Sequence, residues 1–232
     1  MFEQDYLMRM LMQVTHYIAR IMRLRQEQKP EQAYLLLGQG YEFFFGLSID
    51  MVERMSAQEL YEWLRDNGRD HEQVIRALIE YLQAHAELLE SMGHHEEEQI
   101  VPWRLKKIEL YLYSLLDEER RELLDIAGEL ERNIEEMQAF FLPSDCYARL
   151  VRYYEIRERF ADAEDILYIW RDHILENNGD NATDSLQVRL VGAAFYERLL
   201  HVDDSALEVG GLPREEVIFG QLQWLTGGTE SA

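Results

Sequence analysis

Apolar residues recur every three or four positions through most of the 232-residue chain, the period that turns one face of an α-helix towards a core. From Asp5 to about Arg25 the residues Leu7, Leu11, Val14, Ile18 and Ile21 form one stripe. Met8, Met12 and Met22 widen it, which predicts burial on more than one side. Pro30 suits the first turn of a second helix, where its missing N–H needs no partner, and Leu35 to Phe45 reads as nearly continuous core. Gly38 and Gly40 within that run predict close approach of a neighbouring helix. Ser56 and Glu59 have capping-box spacing, so a short helix should follow to about Asp66; Asp70 with Gln73 repeats the device. Val74, Leu78, Tyr81, Leu82, Leu88 and Leu89 mark a long helix that Gly93 should end in a left-handed cap. Pro102 kinks the next helix or marks its start, before Leu105, Ile108, Leu112 and Leu115 resume the stripe. Asp117 caps a helix expected to reach Phe141, with Pro143 as its stop.

Asp145 to Arg157 and Ala161 to Glu176 predict a tight helical hairpin. The polar loop Asn177-Asn178-Gly179-Asp180-Asn181 that follows is the place for a domain boundary, if the chain has one. Thr183 and Asp184 open a helix through Leu200, a short turn follows from Asp203, and Pro213, Glu215 and Glu216 prime a last helix.

Two hairpins share a pattern. With Ala33 laid on Ala163, Ile21, Leu24, Leu36 and Leu37 meet Val151, Tyr154, Ile166 and Leu167. Leu150, Val151 and Tyr154, then Phe160, Ala163 and Leu167, fall at a spacing that resembles a tetratricopeptide repeat. Trp170 stands where that repeat places a small residue, and its closing proline is absent. The expectation is an all-α fold: a tetratricopeptide-like right-handed α-solenoid of antiparallel helix pairs with a C-terminal helical extension. Residues 1–176 would hold the hairpins, 181–226 the extension packed on the same body, and 227–232 a disordered tail.

Three segments carry a wider likeness: Met1-Phe2-Glu3-Gln4-Asp5-Tyr6 at the start, the hairpin from Tyr153-Tyr154-Glu155 through Ala163-Glu164-Asp165, and the end. That end comprises Phe195-Tyr196, Leu199, Asp203-Asp204, Leu207, Pro213-Arg214-Glu215-Glu216 and Gly220. Over nearly its whole length the chain resembles a bacterial domain-of-unknown-function family, found mainly in Gram-positive bacteria. The resemblance implies a helical fold and no particular activity.

Charge narrows the partners. The net charge is -22, so a phosphate backbone is repelled over most of the surface and no nucleic-acid partner is expected. Residues 1–30 run against this trend, with five basic side chains (Arg9, Arg20, Arg23, Arg25, Lys29) against three acidic ones. That helix is expected to dock on the acidic body; contact with anionic lipid is the competing account. No stretch approaches the length of a membrane span, and no secretory pattern opens the chain. Cys146, the single cysteine, forbids an intrachain disulfide and fits a reducing cytoplasm.

Position by position, the polar residues depart from the common signatures of chemistry. His94-His95-Glu96-Glu97-Glu98 is the most conspicuous polar cluster, but adjacent helical residues point about 100° apart and cannot both face one simple metal site. A His-Glu-x-x-His motif fails because Gln99 stands four residues after His95 and Ile75 four after His71. No histidine has a carboxylate three residues before it, as a di-iron bundle requires. Gly38-Gln39-Gly40 lacks the Gly-Lys-Ser/Thr of a phosphate loop. No catalytic, cofactor-binding or metal-binding residue is therefore nominated, and no cofactor is expected. One helix, however, carries Tyr147, Tyr153 and Tyr154 with Arg149, Arg152 and Arg157, a composition favoured at binding hot spots. Repeat spacing assigns Tyr154 to the core, leaving Arg149, Arg152, Tyr153 and Arg157 as a candidate partner-binding face for a protein or peptide. Pairing of Arg152 or Arg159 with Glu155 is the competing account of those charges. The functional expectation is a non-catalytic helical-repeat interaction or scaffold module, with self-association a further option. The alternative is an enzyme with a carboxylate-rich pocket, with or without a metal.

Overall fold

The computed structural model describes residues 2–67, 72–94, 99–116, 130–132, 134, 142–176 and 182–226. Among them every regular element is helical. The elements fall into two compact units, Met1–Gln138 and Ala139–Ala232. Several expectations lie outside the described residues: the Asp70 cap, most of the helix from Asp117 to Phe141, the 177–181 loop and the 227–232 tail.

In the first unit α1 (Phe2–Gln26) and α2 (Pro30–Gly40) form a hairpin, and α5 (Glu72–Ser91) packs on both. The short helices α3 (Ile49–Arg54) and α4 (Ala57–Asp66) follow the hairpin, and α6 (Val101–Leu116) packs on α4 and α5. Ser56 and Glu59 form the expected capping box: Glu59 N–H donates to Ser56 Oγ at 3.2 Å and Ser56 N–H to Glu59 Oε2 at 2.7 Å. Gly93 ends α5 in left-handed backbone, φ 78°, and Pro102 is the second residue of α6, directly behind a π-helical turn at 99–100. The capped α3, opened by Ser48, has no counterpart in the sequence reading.

Two expectations for this unit are corrected. The widened stripe of α1 is not buried on a second side, because Met8 and Met12 are more than half exposed while Val14 and Ile21 are buried. The side chain of Leu7 lies outside the described residues. The run from Leu35 to Phe45 is not continuous α-helical core either: Leu35 and Phe43 are exposed, and α2 passes at Tyr41 into a π-helical turn, Tyr41–Phe45. The wider turn brings Tyr41, Phe44 and Phe45 around Tyr81 of α5, with ring centroids 5.3, 5.9 and 5.4 Å away. Tyr81 also explains Gly40, since a Cβ there would lie 2.0 Å from the Tyr81 hydroxyl.

The second unit repeats the hairpin as α7 (Ser144–Ile156) and α8 (Phe160–Glu176), with α9 (Ala182–Leu199) packed on both. The short α10 (Asp204–Val209) leads to α11 (Arg214–Thr226), which packs on α9. This unit holds the helices on both sides of 177–181, where the sequence places a boundary. Val188, Phe195 and Leu199 of α9 are buried, which ties that helix to the hairpin before it. Glycines set the α9–α11 approach: a Cβ on Gly192 would stand 2.1 Å from the Trp224 ring, and one on Gly220 2.7 Å from the Tyr196 ring.

The two hairpins agree in backbone detail. Ile21 and Val151, Ala33 and Ala163, and Leu37 and Leu167 are all buried. Each first helix closes in the same Schellman motif: Gln28 N–H donates to Arg25 O and Lys29 N–H to Leu24 O, while Glu158 N–H donates to Glu155 O and Arg159 N–H to Tyr154 O. Gln28 and Glu158 occupy the left-handed position, at φ 59° and 56°.

Candidate functional site

Helix α7 positions the side chains that the sequence groups together, and its packing separates them. Tyr153 is buried and packs edge-on against Tyr154, so its ring belongs to the core. Arg152 and Arg157 are exposed and Arg149 is half-buried, donating to the Asp145 carbonyl at 3.1 Å. Glu155 organises the charge. It is nearly buried and accepts both arms of the Arg198 fork, at 2.6 and 2.8 Å, with Arg152 at 3.0 Å. The Glu155 carboxylate and hydrogen bond in turn hold the Arg198 guanidinium above its ordinary pKa. At the start of α7, Tyr147 Oη lies 2.6 Å from His173 Nδ1, and burial pushes the phenol up to about 12.

The first unit holds a mainly apolar cleft of about 460 Å³, with Ile18, Met22, Ile79 and Ala84 in its lining. Glu80, Gln83, Glu87, Lys107, Tyr111 and Arg132 supply its polar wall. Lys107, nearly buried, donates to Gln83 Oε1. Gln83 Nε2 donates to Glu87 Oε1 at 2.8 Å, and Arg25 of α1 donates to Glu87 Oε2 at 2.8 Å. The last contact docks the basic helix on its own acidic body. Below this wall His85 sits with its ring centroid 3.7 Å from that of Trp103, and its Nδ1 lies 3.4 Å from Tyr41 Oη. Burial pulls the imidazole down to about 3, so it stays neutral and structural.

Among the described residues no group of three or more His, Cys, Asp or Glu side chains is placed to hold a metal ion. Residues 95–98 of the histidine-glutamate run lie outside them, and His94 Nδ1 lies 2.8 Å from Gln99 Oε1. No described helix is long and apolar enough to cross a membrane. Cys146 is buried.

A further surface lies on α11. Val217, Gly220 and Trp224 face the core, while Ile218, Phe219, Leu222 and Leu225 stand on the outer side, 45 to 65% exposed. Leu186 and Leu190 of α9 are likewise exposed, one turn apart. A surface helix that is apolar on both faces has only half of its apolar surface covered by its own fold. The sequence does carry the signal: no ionisable residue occurs from Val217 to Thr226.

Residues 1–224 match the model of a family of unknown function, DUF6483. The chain belongs to that family. No curated protein and no solved structure matches it. Within this DUF6483 member the arrangement offers two kinds of surface: a mixed-charge cleft that can hold a small polar group, and an apolar helix face that can bury a partner.

Proposed function

We propose that this DUF6483 chain is a non-catalytic interaction module of tetratricopeptide-like helix pairs, acting in the cytoplasm on a protein or peptide. The exposed apolar stripe of α11 carries the reading, because single exposed apolar residues are ordinary but four on one side of one helix are a contact surface. The matching backbone of the two hairpins supports the solenoid-like part of the proposal. Arg152 and Arg157, exposed on α7, add a second face suited to carboxylates. Cross-linking of the full chain in native lysate, read by mass spectrometry, tests this reading. A protein partner linked through α11 or α7 is expected; repeated recovery of none, under conditions that keep weak complexes, counts against it.

A second reading, an enzyme, draws on the cleft that brings Glu80 and Glu87 beside Lys107 and Tyr111. Stoichiometric metal in the freshly purified protein, lost on Glu87→Gln, would favour it.

A further inference from the structure

The stripe on α11 has a charge and a spacing that together name its occupant. From Val217 to Thr226 the helix carries no ionisable side chain, although the chain has a net charge of -22. Two copies of so acidic a chain repel wherever their acidic faces meet, and they approach at least cost where neither brings charge. A basic partner would be drawn instead to the carboxylates elsewhere. Ile218, Leu222 and Leu225 follow one another at intervals of four and three residues, the alternation of a coiled-coil seam. Phe219 lies beside them, and Gln221 and Gln223 flank the stripe without charge. Such a seam is its own complement: across a two-fold axis the same knobs meet the same holes.

We infer that α11 is a homodimer interface, in which the outer stripe of one copy packs antiparallel against that of a second copy. The inference rests on the interaction reading and commits it to one partner. At roughly 100 Å² for each of the four half-exposed side chains, the contact spans about 800 Å² over both copies, at the weak end of specific interfaces. A contact of this size makes a weak dimer that dissociates on dilution within the micromolar range the experiment samples.

Sedimentation velocity of the full chain across that range decides the matter. The dimer fraction should rise with concentration and rise again with added salt, which screens the repulsion between two acidic bodies. Leu222→Glu should weaken the dimer at least about ten-fold, Phe219→Gln less, and Met12→Glu, exposed on the first unit, not at all. Circular dichroism of each variant confirms that it is folded. A monomer at every concentration overturns the inference, and so does a dimer that Leu222→Glu and Phe219→Gln leave intact. If the monomer still captures a lysate protein through α11, the interaction reading stands without self-association; if it captures none, both fall.

Discussion

Arg25 and Glu155 occupy the same position in two matching hairpins and make the same contact with opposite charge. Arg25 of α1 pairs with Glu87 of α5 at 2.8 Å, while Glu155 of α7 pairs with Arg198 of α9 at 2.6 Å. In each case the third helix of the unit supplies the counter-charge. Since the geometry accepts either polarity, a swap within one pair should be tolerated. Arg198→Ala should destabilise the second unit by roughly 1 kcal/mol, because the guanidinium is partly exposed and Arg152 remains beside Glu155. Glu155→Arg alone should cost more, and the double variant Glu155→Arg with Arg198→Glu should recover part of that loss. Urea denaturation of the parent, Glu155→Arg, Arg198→Glu and the double variant gives the coupling directly; no recovery in the double variant would show that polarity at this place is fixed.

The left-handed corners supply a second expectation. Glycine holds this conformation at Gly93 and Gly211, both at φ 78°, but Gln28 and Glu158 hold it with a Cβ. A left-handed residue other than glycine costs about 1–2 kcal/mol, and glycine's extra freedom in the unfolded chain returns part of that. Gln28→Gly and Glu158→Gly should each stabilise the protein by about 0.5–1 kcal/mol, and Gly93→Ala should destabilise it by a similar amount. Thermal melts of the three variants would decide; a loss of stability in both glycine variants would contradict the account.

Tyr81 offers a third. Its hydroxyl is buried without a hydrogen-bond partner and lies where a Cβ on Gly40 would stand. Removing an unsatisfied buried hydroxyl relieves a desolvation cost, so Tyr81→Phe should be neutral or stabilising by about 1 kcal/mol. Gly40→Ala should cost about 1–3 kcal/mol through overpacking, and Tyr81→Phe in the same chain should soften that cost. A Tyr81→Phe protein that unfolds more readily than the parent would mean the hydroxyl has a partner in solution.

Acid should unfold the first unit partly through His85. Its folded-state value lies near 3, against 6.5 for an unburied imidazole, so below 6.5 the unfolded chain binds a proton that the folded chain refuses. The stabilisation is complete above about pH 6.5 and drains away as the pH falls towards 3. His85→Phe, which keeps a ring against Trp103, should flatten the stability profile across that window even if it lowers stability at neutral pH. Denaturation midpoints measured between pH 4 and pH 7 should diverge for the two proteins; parallel curves would remove His85 from the explanation.

Much of this architecture could be read from residues whose physics is local. Ser56 with Glu59, Gly93 and Pro102 each act through their own backbone, and each stands where the spacing places it. The pairing of Ala33 with Ala163 was legible because a small residue at a helix crossing leaves a mark in the pattern. What stayed hidden depends on partners far along the chain. The π-helical turn at Tyr41–Phe45 gathers three rings around Tyr81 of α5, and periodicity does not report a turn whose packing partner lies that far along the chain. Tyr153 stands among exposed arginines in a polar window, yet its ring is buried. The stripe on α11 stays hidden for the opposite reason. A helix apolar on both faces reads as core until its outer side is found uncovered.

The reversed polarity of the two interhelical pairs also bears on how the chain finds its fold. Two hairpins of similar backbone in one chain invite exchange, with either one seating on the other's third helix during folding. Were α1 and α2 to settle on α9, Arg25 would meet Arg198; were α7 and α8 to settle on α5, Glu155 would meet Glu87. Each misassembly brings like charges together at a half-buried contact, while each correct one brings opposites. The ion pairs thus give an address label to two hairpins whose backbones close in the same way.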